Sequence, residues 1–412
     1  MCYNWEKEIL KFAPSLSYHI LAESKSKRRE FLNSDNDKNI YITSYGLLRE
    51  DKEELSNINF EVCIIDEAQS IKNSNIGITK AVKSINSNCN IALTGTPIEN
   101  SLMELWSIFD FLMPGFFGSE SSFHSKYNVK SFEDDDKEKL RLLNKQISPF
   151  ILRRKKSDVL KELPSKIDNN IYIDLKEEQK KLYATLVEET KKEMDEIVAT
   201  EGFSKARFKI LELLMRLRQV CIDPSIVYDN YDGGSAKIEE AVKVIKEVVS
   251  NGHKILLFSS FRTALAIMEN KFKKEKISYY LMDGSVNSKK RMELVTKFNE
   301  DDTNVFLIML KSGGTGLNLT SADVVIHLDL WWNPQVENQA TDRAHRIGQE
   351  NTVEVIRLVT RGTIEERILE LQEKKKMLSD SVIEGKNRNQ NIIGKLSEDD
   401  IKHLLSVNND DE

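Results

Sequence analysis

The chain has 412 residues, of which 40% are hydrophobic and 31% charged, a composition typical of a globular protein long enough for two or three domains. Its formal net charge of −6 excludes a protein that is basic throughout, although it leaves room for a local basic cleft. Four cysteines without a short spacing argue against a zinc site or a disulfide framework, and no apolar run approaches the length of a membrane span.

Short β-branched runs alternate with helical patterns in the first and last parts of the chain. Near-continuous apolar strands separated by helices are typical of parallel sheets that are covered on both faces. We therefore expect two α/β lobes. The predicted strands are residues 40–43, 62–65 and 90–93 in the first lobe, and 254–258, 279–282, 304–309, 323–328 and 354–359 in the second.

The middle of the chain has a different pattern. No strand is predicted from about residue 120 to 235, where residues 177–198 and 208–222 have the patterns of two helices. We therefore expect a helical insertion between the lobes. After about residue 376 the chain is polar, which predicts a loosely ordered tail that ends in a small helix. The predicted domain boundaries are 1–114, 115–235, 236–375 and 376–412.

The segment VCIIDEAQ, residues 62–69, is a predicted buried strand that ends at two carboxylates. Open α/β sheets bind ligands at the carboxyl ends of their strands. In that position Asp66 would hold Mg²⁺ through water, while Glu67 would polarise an attacking water molecule. A surface turn with two solvated acids explains the four letters DEAQ equally well.

The segment LTGTPIEN, residues 93–100, follows the next predicted strand, and its Thr94 and Thr96 flank Gly95. Hydroxyl groups at this strand end can reach carboxylates at the end of the neighbouring strand and can pass on a change of state between lobes. The alternative is an ordinary turn from strand to helix, in which Thr96 or Asn100 caps the helix.

Basic residues outnumber acidic ones in the segment FILRRKKSDVLKELPSK, residues 150–166. One interpretation, which this segment favours when taken alone, is a solvated charge run, because Lys and Arg are mostly exposed in proteins. The other is a basic strap that lies near a nucleic-acid path.

A glycine-rich loop, LKSGGTGLNLTSAD, covers residues 310–323. Backbone N–H groups without side chains can approach a phosphate closely, although a flexible turn has the same composition. No Lys–Ser or Lys–Thr pair follows the last glycine, so this is not a nucleotide P-loop.

The segment NQATDRAHRIGQ, residues 338–349, holds Arg343 and Arg346. If the segment is helical, these arginines share a face, and their planar guanidinium groups suit phosphate oxygens. Presented to a nucleotide, they would act as arginine fingers, which typically contribute about 10³–10⁵ in rate. The alternative is a solvated charged face, or an ion pair with Asp342 or Glu350.

In their order and spacing, these motifs resemble those of helicase superfamily two and, more narrowly, of the Swi/Snf family of DNA-translocating ATPases. Trp331, Trp332 and Asn333 match the family's extension of motif V, although core packing is as good an interpretation for them. The matching segments are 3–14 for motif Ia, 41–51 for motif Ib, 66–69 for motif II, 93–100 for motif III, 150–164 for the inter-lobe block, 254–269 for motif IV, 312–334 for motif V and 339–349 for motif VI.

The resemblance implies an α/β fold of two RecA-like parallel-sheet lobes, the first truncated at its N-terminus, with a helical insertion between them. It implies ATP hydrolysis with Mg²⁺, coupled to movement on duplex DNA and to remodelling of protein–DNA complexes. The implied partners are the double-stranded DNA backbone, contacted without sequence preference, and DNA-bound proteins such as RNA polymerase. We expect a monomer without membrane contact, located in the bacterial cytoplasm at the nucleoid, or in the nucleus of a eukaryote.

The resemblance also implies roles for single residues. Asp66, Glu67, Arg343 and Arg346 would be catalytic, with Asp66 holding the metal through water, and Gln69 and Gly316 would join them in binding the nucleotide. Thr94, Gly95 and Thr96 would couple hydrolysis to lobe motion. The DNA backbone would be contacted by Thr43, Ser44, Tyr45, Ser259, Ser312, Gly313, Gly314 and Thr315.

The family's motif I, G-x-x-x-x-G-K-[ST], is absent from the sequence. The two Gly–Lys pairs, Gly385–Lys386 and Gly394–Lys395, are followed by Asn and Leu. We therefore expect a chain truncated inside its first lobe, which is marginally stable alone and does not hydrolyse ATP, whereas residues 235–375 fold well. A naturally loop-less DNA-binding or regulatory scaffold and a strand-separating RNA helicase remain as alternatives.

Overall fold

The computed structural model describes residues 2–34, 38–74, 76–95, 102–127, 134–154, 156–160, 162–310 and 317–373, together with Ile401 and Leu404. Within these ranges the chain divides into two compact units, the first ending at Leu152 and the second beginning at Arg153. Along the described residues no helix is both long enough and apolar enough to cross a bilayer.

The first unit mixes short strands with helices. Its described strands are β1 (Tyr18–Ile20), β2 (Ile40–Ile42), β3 (Asn59–Ile65) and β4 (Asn86–Ala92). Its described helices are α1 (Cys2–Phe12), α2 (Lys25–Asn33), α3 (Tyr45–Glu50), α4 (Lys52–Ser56), α5 (Gly77–Val82), α6 (Leu102–Leu112), α7 (Glu120–Tyr127) and α8 (Asp134–Ile147), with 3₁₀ turns at Ala68–Ile71 and Ser148–Phe150.

The strands of the first unit form two parallel pairs, β1 with β2 and β3 with β4. One face of the β3–β4 pair packs Ile65 against Val82 of α5 and Phe111 of α6. On the other face Val62 is 47% exposed and Ile64 is 54% exposed. Parallel sheets are normally covered on both faces, so the described part of this unit leaves an apolar sheet face open.

The second unit contains the larger sheet. Its described strands are β5 (Lys166–Ile173), β6 (Ile255–Ser259), β7 (Tyr279–Met282), β8 (Val305–Met309), β9 (Val324–His327) and β10 (Val353–Thr360). Its described helices are α9 (Lys156–Val159), α10 (Glu177–Glu201), α11 (Phe203–Ile222), α12 (Ala236–Ser250), α13 (Arg262–Glu275), α14 (Ser288–Glu300) and α15 (Pro334–Thr341), with a 3₁₀ turn at Pro224–Ile226 and a further helical segment over 364–373.

The sheet of the second unit has six parallel strands in the order β5-β10-β9-β6-β8-β7. Its central strands are apolar and buried along their length, as expected for a sheet covered on both faces. On one face Leu257 packs with Ile238 of α12 and Leu265 of α13. On the other face Val325 packs with Phe298 of α14. The predicted α/β class is therefore confirmed, and each strand predicted from the sequence is present.

Strand β5 corrects the prediction that the middle of the chain contains no strand. Residues Lys166–Ile173 pair with β10 along their whole length, so this segment is part of the second unit's sheet. The sequence Asp168–Asn169–Asn170 has neither β-branched residues nor alternating polarity. Such a sequence is tolerated here because β5 is an edge strand, whose side chains are mostly exposed.

Helices α10 and α11 are present as predicted and form a second core within this unit. Leu186 of α10 packs with Leu214 and Leu217 of α11, all three buried. The described positions Ile401 and Leu404 are helical, and both are buried in the same cluster. The predicted small helix of the tail therefore has two apolar contacts in this core, while the rest of the tail lies outside the described residues.

Candidate functional site

The two acids of the DEAQ segment lie directly after β3. Glu67 has a left-handed backbone, with φ 52° and ψ 55°, which is uncommon for a residue with a side chain. Its N–H donates to Oδ1 of Asp66 at 2.9 Å. The next N–H, that of Ala68, donates to the carbonyl of Leu93 at 2.9 Å. This turn is therefore fixed to the end of β4, and it places both acids at the carboxyl end of the sheet.

A line of side-chain hydrogen bonds joins the two motifs of the first unit. The Gln69 Nε2 donates to Oε2 of Glu67 at 2.5 Å, and the Gln69 Oε1 accepts from the hydroxyl of Thr94 at 2.8 Å. The expected link between Thr94 and the carboxylates therefore passes through Gln69. Gly95 follows in the chain, and Thr96 lies outside the described residues. The coupling role of these residues remains a prediction.

Two aromatic side chains contact Asp66. The indole N–H of Trp5 donates to Oδ2 of Asp66 at 3.2 Å, and the hydroxyl of Tyr45 donates to its carbonyl at 2.7 Å. Burial is the main cause that raises the pKa of Tyr45 far above its usual value, and the nearby Asp66 and Glu67 act in the same direction. The Tyr45 hydroxyl therefore stays a proton donor and supports the turn at Asp66, while its predicted DNA contact is untested.

The other predicted DNA contacts of the first unit have local structural roles. The Ser44 hydroxyl accepts from the N–H of Leu47 at 3.4 Å and caps α3. The Thr43 Oγ1 is buried without a hydrogen-bond partner among the described residues. Ser44 is exposed, so its side chain remains accessible, and the DNA role predicted for both residues stays a prediction.

Asp66 and Glu67 fit the metal half of a magnesium–nucleotide site. Magnesium prefers oxygen ligands and is usually held by one or two carboxylates together with water and substrate phosphates. No group of three or more metal-ligating side chains occurs among the described residues, so such a site would depend on phosphates and water for its other ligands. The sequence contains no G-x-x-x-x-G-K-[ST] loop, so the phosphate half has no fitting residues in this chain.

The arginine segment of the second unit is not a continuous helix, which was the condition for the two arginines to share a face. Helix α15 ends at Thr341, and the following residues form turns. The carbonyl of Arg343 accepts from the N–H of Leu319 at 3.0 Å, so this carbonyl bonds to a residue outside the helix. The Nε of Arg343 donates to the carbonyl of Gln339 at 3.0 Å and the residue is buried, whereas Arg346 is exposed. The two arginines therefore do not share a helix face, and their finger roles remain predictions.

Gln349 fixes the end of this segment, which the sequence analysis did not foresee. Its Nε2 donates to the carbonyls of Ala322 at 2.8 Å, Thr320 at 3.2 Å and Ala344 at 3.3 Å. These bonds hold the arginine segment against residues 317–322, directly after the part of the glycine-rich loop that lies outside the described residues. That part contains Ser312, Gly313, Gly314, Thr315 and Gly316, whose predicted roles are untested.

The basic segment lies along the arginine segment within the second unit. The Nζ of Lys156 donates to Asp342 at 2.5 Å and to the carbonyl of His345 at 3.1 Å. The His345 Nε2 donates to the carbonyl of Pro164 at 2.9 Å. Since Lys156 and Asp342 are 44% and 45% exposed, their ion pair contributes no more than about 1 kcal/mol. The contact therefore positions the arginine segment more than it stabilises the unit.

Ser259 does not present its hydroxyl to solvent. It is 1% exposed, and its Oγ donates to Oδ1 of Asp329 at 2.6 Å. The structure therefore gives no support to the expected contact between this hydroxyl and DNA. Its neighbour Ser260 is partly exposed at the same strand end.

Glu337 is a further residue that sequence reasoning missed. It is buried in α15 and accepts from the N–H of Trp331 at 2.7 Å, from Nε2 of Gln372 at 2.7 Å and from Nε of Arg357 at 3.2 Å. Burial is the main cause that raises its pKa. This carboxylate joins α15 to β10 and to the helical segment over 364–373, so it holds the helix in which the arginine segment begins.

Two family models match the chain. The SNF2-related domain matches residues 1–226, and the helicase conserved C-terminal domain matches residues 236–348. Together they cover the first unit and most of the second unit's sheet.

Several named proteins are similar along most of this chain. An uncharacterized ATP-dependent helicase of Mycoplasma pneumoniae is 42% identical over 93% of this chain and 36% of its own length. The putative ATP-dependent helicase/translocase YwqA of Bacillus subtilis is 37% identical over 98% of this chain and 44% of its own length. The ISWI chromatin-remodeling complex ATPase ISW1 of Saccharomyces cerevisiae is 34% identical over 92% of this chain. This chain spans less than half the length of each relative.

Among solved structures, the SWI2/SNF2 ATPase core domain of Sulfolobus solfataricus is 35% identical over 98% of this chain and 82% of that chain, with a TM-score of 0.48. The same core in complex with dsDNA is 37% identical over 93% of this chain and 80% of that chain, with a TM-score of 0.46. Because the SNF2-related domain alone matches residues 1–226 of the 412, the chain belongs to the SNF2 family, whose members similar to it include proteins named as ATP-dependent helicases.

Proposed function

We propose that this chain forms part of an ATP-driven motor that moves along duplex DNA and displaces or remodels bound proteins. The single observation that carries the proposal is the line of hydrogen bonds from Glu67 through Gln69 to Thr94. It ties Glu67, the acid proposed for water activation, to the end of the neighbouring strand. A motor needs such a link, because hydrolysis must change the backbone conformation to produce movement.

Asp66 and the residues of this line each have a chemical role in the proposal. Asp66 would hold Mg²⁺, which when bound neutralises charge on a nucleotide phosphate. Glu67 would take the proton of the attacking water. When Glu67 is protonated, it accepts a weaker hydrogen bond from Gln69, so the Gln69–Thr94 bond would rearrange at the end of β4. These steps use the contacts present in the first unit.

We further propose that this chain alone binds duplex DNA and does not hydrolyse ATP, because its sequence contains no phosphate-binding loop motif. Its contacts would go to phosphate and sugar, so binding would be independent of sequence. The names of the relatives as a translocase and a chromatin-remodelling ATPase support the choice of DNA. The proposed partners are DNA-bound proteins such as RNA polymerase. We propose that the chain acts as a monomer in the bacterial cytoplasm, at the nucleoid.

The test compares duplex DNA, single-stranded DNA and RNA of equal length, measuring binding by anisotropy and ATP hydrolysis by phosphate release. We expect the chain to prefer duplex DNA and to release no phosphate above background. Fusing a relative's motif I segment ahead of residue 2 should restore DNA-stimulated hydrolysis. Glu67→Gln should then abolish it, whereas Glu53→Gln, an exposed acid on α4, should leave it unchanged.

Each alternative has its own outcome in this test. A preference for RNA would favour an RNA helicase, and DNA binding with no hydrolysis even in the fusion would favour a loop-less scaffold. Robust hydrolysis by the unfused chain, abolished by Arg343→Ala, would refute the proposed inactivity.

A further inference from the structure

Arg218, on α11, carries a fully buried guanidinium group that is held by aromatic rings. Its central carbon lies 5.1 Å from the ring centre of Phe261, and 5.2 Å from the ring centres of Trp331 and Trp332. The side chain is 1% exposed. A buried charge is costly unless aromatic faces or an opposite charge compensate it, and both are present here.

The opposite charge is Asp329, which is also buried. The Nη2 of Arg218 donates to Oδ2 of Asp329 at 2.8 Å and to the carbonyl of Leu330 at 2.5 Å. The Nε and Nη1 of Arg218 have no hydrogen-bond partner among the described residues, so its hydrogen bonds to them all leave from Nη2. Among these contacts, the carboxylate of Asp329 is the one charged group that the guanidinium holds in position.

The second oxygen of that carboxylate holds the end of β6. The Oδ1 of Asp329 accepts from the Ser259 hydroxyl at 2.6 Å and from the Ser260 N–H at 2.9 Å. The Oγ of Ser260 lies 3.4 Å from Nη2 of Arg218. Asp329 thus joins the buried arginine on one oxygen to a partly exposed serine turn on the other. This turn lies at the carboxyl edge of a parallel sheet, where ligands bind in open α/β folds.

We propose that Arg218 is a positioning residue for DNA binding. Through Asp329 it fixes the backbone of Ser260 and so orients the Ser260 hydroxyl for contact with a DNA phosphate, while Arg218 itself does not touch the nucleic acid. The inference rests on the proposed function, since it assumes that duplex DNA binds at this edge. Replacing a buried ion pair by apolar side chains is often neutral for stability, so orientation of the turn, more than stability, accounts for an arginine at this position.

The experiment uses the whole chain and labelled duplex DNA. Anisotropy titrations below the Kd give the affinity, and titrations far above it give the fraction of competent protein. We expect Arg218→Met and Asp329→Asn each to raise the Kd about tenfold, the effect of one lost hydrogen bond to a charged group. The competent fraction should stay unchanged. The dependence of the Kd on salt should also stay unchanged, because the Ser260 hydroxyl is an uncharged donor.

Two further variants complete the design. Ser260→Ala should raise the Kd by itself and should add little when combined with Arg218→Met, because both remove one interaction. Lys209→Met, on the same helix in an exposed ion pair with Glu201, is the matched control and should leave the Kd unchanged. If Arg218→Met does not fold, Asp329→Asn, which removes the charged carboxylate that holds the turn, decides by itself and should show the same rise in Kd.

The results that would contradict this inference differ from those that would contradict the proposed function. The inference would be overturned if the folded Arg218 and Asp329 variants had the same Kd as the unaltered chain. It would also be overturned if only the competent fraction fell while the Kd stayed constant, because that result indicates a purely structural role. Failure of the unaltered chain to bind duplex DNA would instead overturn the proposed function.

Discussion

Lys237 and Glu365 form an ion pair with no exposed side-chain area in the second unit. The Nζ of Lys237 also donates to the carbonyls of Leu328 and Leu358, and Oε2 of Glu365 accepts from the N–H of Thr360. Every charge of the pair thus has partners, which is the condition under which a buried pair is tolerated.

Removing one partner of this pair should be strongly destabilising. Lys237→Met leaves Glu365 buried without its cation, and we expect a loss of about 3–5 kcal/mol in the free energy of unfolding, measured by urea denaturation. Lys243→Met, which breaks an exposed pair with Glu240, should change it by no more than about 0.5 kcal/mol. Equal losses in the two variants would contradict this interpretation.

His327, buried in β9, gives the stability a pH dependence. Burial is the main cause that lowers its pKa to about 3, whereas a histidine in the unfolded chain titrates near about 6.5. Between these values the unfolded chain binds a proton that the folded chain does not, so stability falls as the pH drops below about 6.5. The slope from this residue is at most about 1.4 kcal/mol per pH unit.

The measurement compares the unaltered chain with His327→Gln in urea denaturation from pH 7 to pH 4.5. The variant should lose stability less steeply on acidification, whatever its stability at pH 7. The interpretation is wrong if both proteins show the same slope over this range.

Residue-scale contacts differ in how far the sequence predicts them. The place of Asp66 and Glu67 at a strand end is predicted by a motif that follows an apolar strand. The approach of Thr94 to these acids is predicted because Thr94 follows the neighbouring strand. The contact of Lys156 with Asp342 joins residues that are 186 positions apart. No local pattern marks such a pair, so only the folded chain shows it.

At the scale of elements, β-branched and apolar runs predicted the central strands because burial of those strands selects such residues. Strand β5 was missed since an edge strand with exposed side chains needs no apolar pattern, and its existence depends on pairing with β10. The helical spacing considered for the arginine segment holds only as far as Thr341, and beyond it the carbonyl of Arg343 accepts from Leu319, which is distant in the chain.

The edge position of β5 should be visible in hydrogen exchange. Its backbone pairs on one side only, whereas β9 pairs on both sides with β10 and β6. Edge strands open by local fluctuations of lower free energy than central strands. Peptides that cover 166–173 should therefore exchange faster than peptides that cover 324–327, as measured by mass spectrometry. Equal protection of the two segments would mean that β5 is covered on its free edge.

At the scale of the whole molecule, the two units differ in their sheets. The second unit has a six-stranded parallel sheet with core on both faces, whereas the described strands of the first unit form two separate pairs with an open apolar face. Two-stranded sheets are marginally stable. We therefore expect limited proteolysis to digest the first unit early and to leave resistant fragments within residues 235–373. Resistant fragments confined to residues 2–110 would contradict this expectation.

The left-handed backbone of Glu67 has a consequence for natural variation at this position. Of the twenty amino acids, glycine and asparagine adopt this conformation most readily, so replacement by asparagine should relieve strain of about 1 kcal/mol. The same replacement removes the carboxylate that the proposed reaction requires. Selection for stability and selection for activity therefore favour different residues here. A lineage that ceased to need hydrolysis should lose this glutamate early, because the hydrogen bond from Gln69 is all that its carboxylate contributes to the described fold.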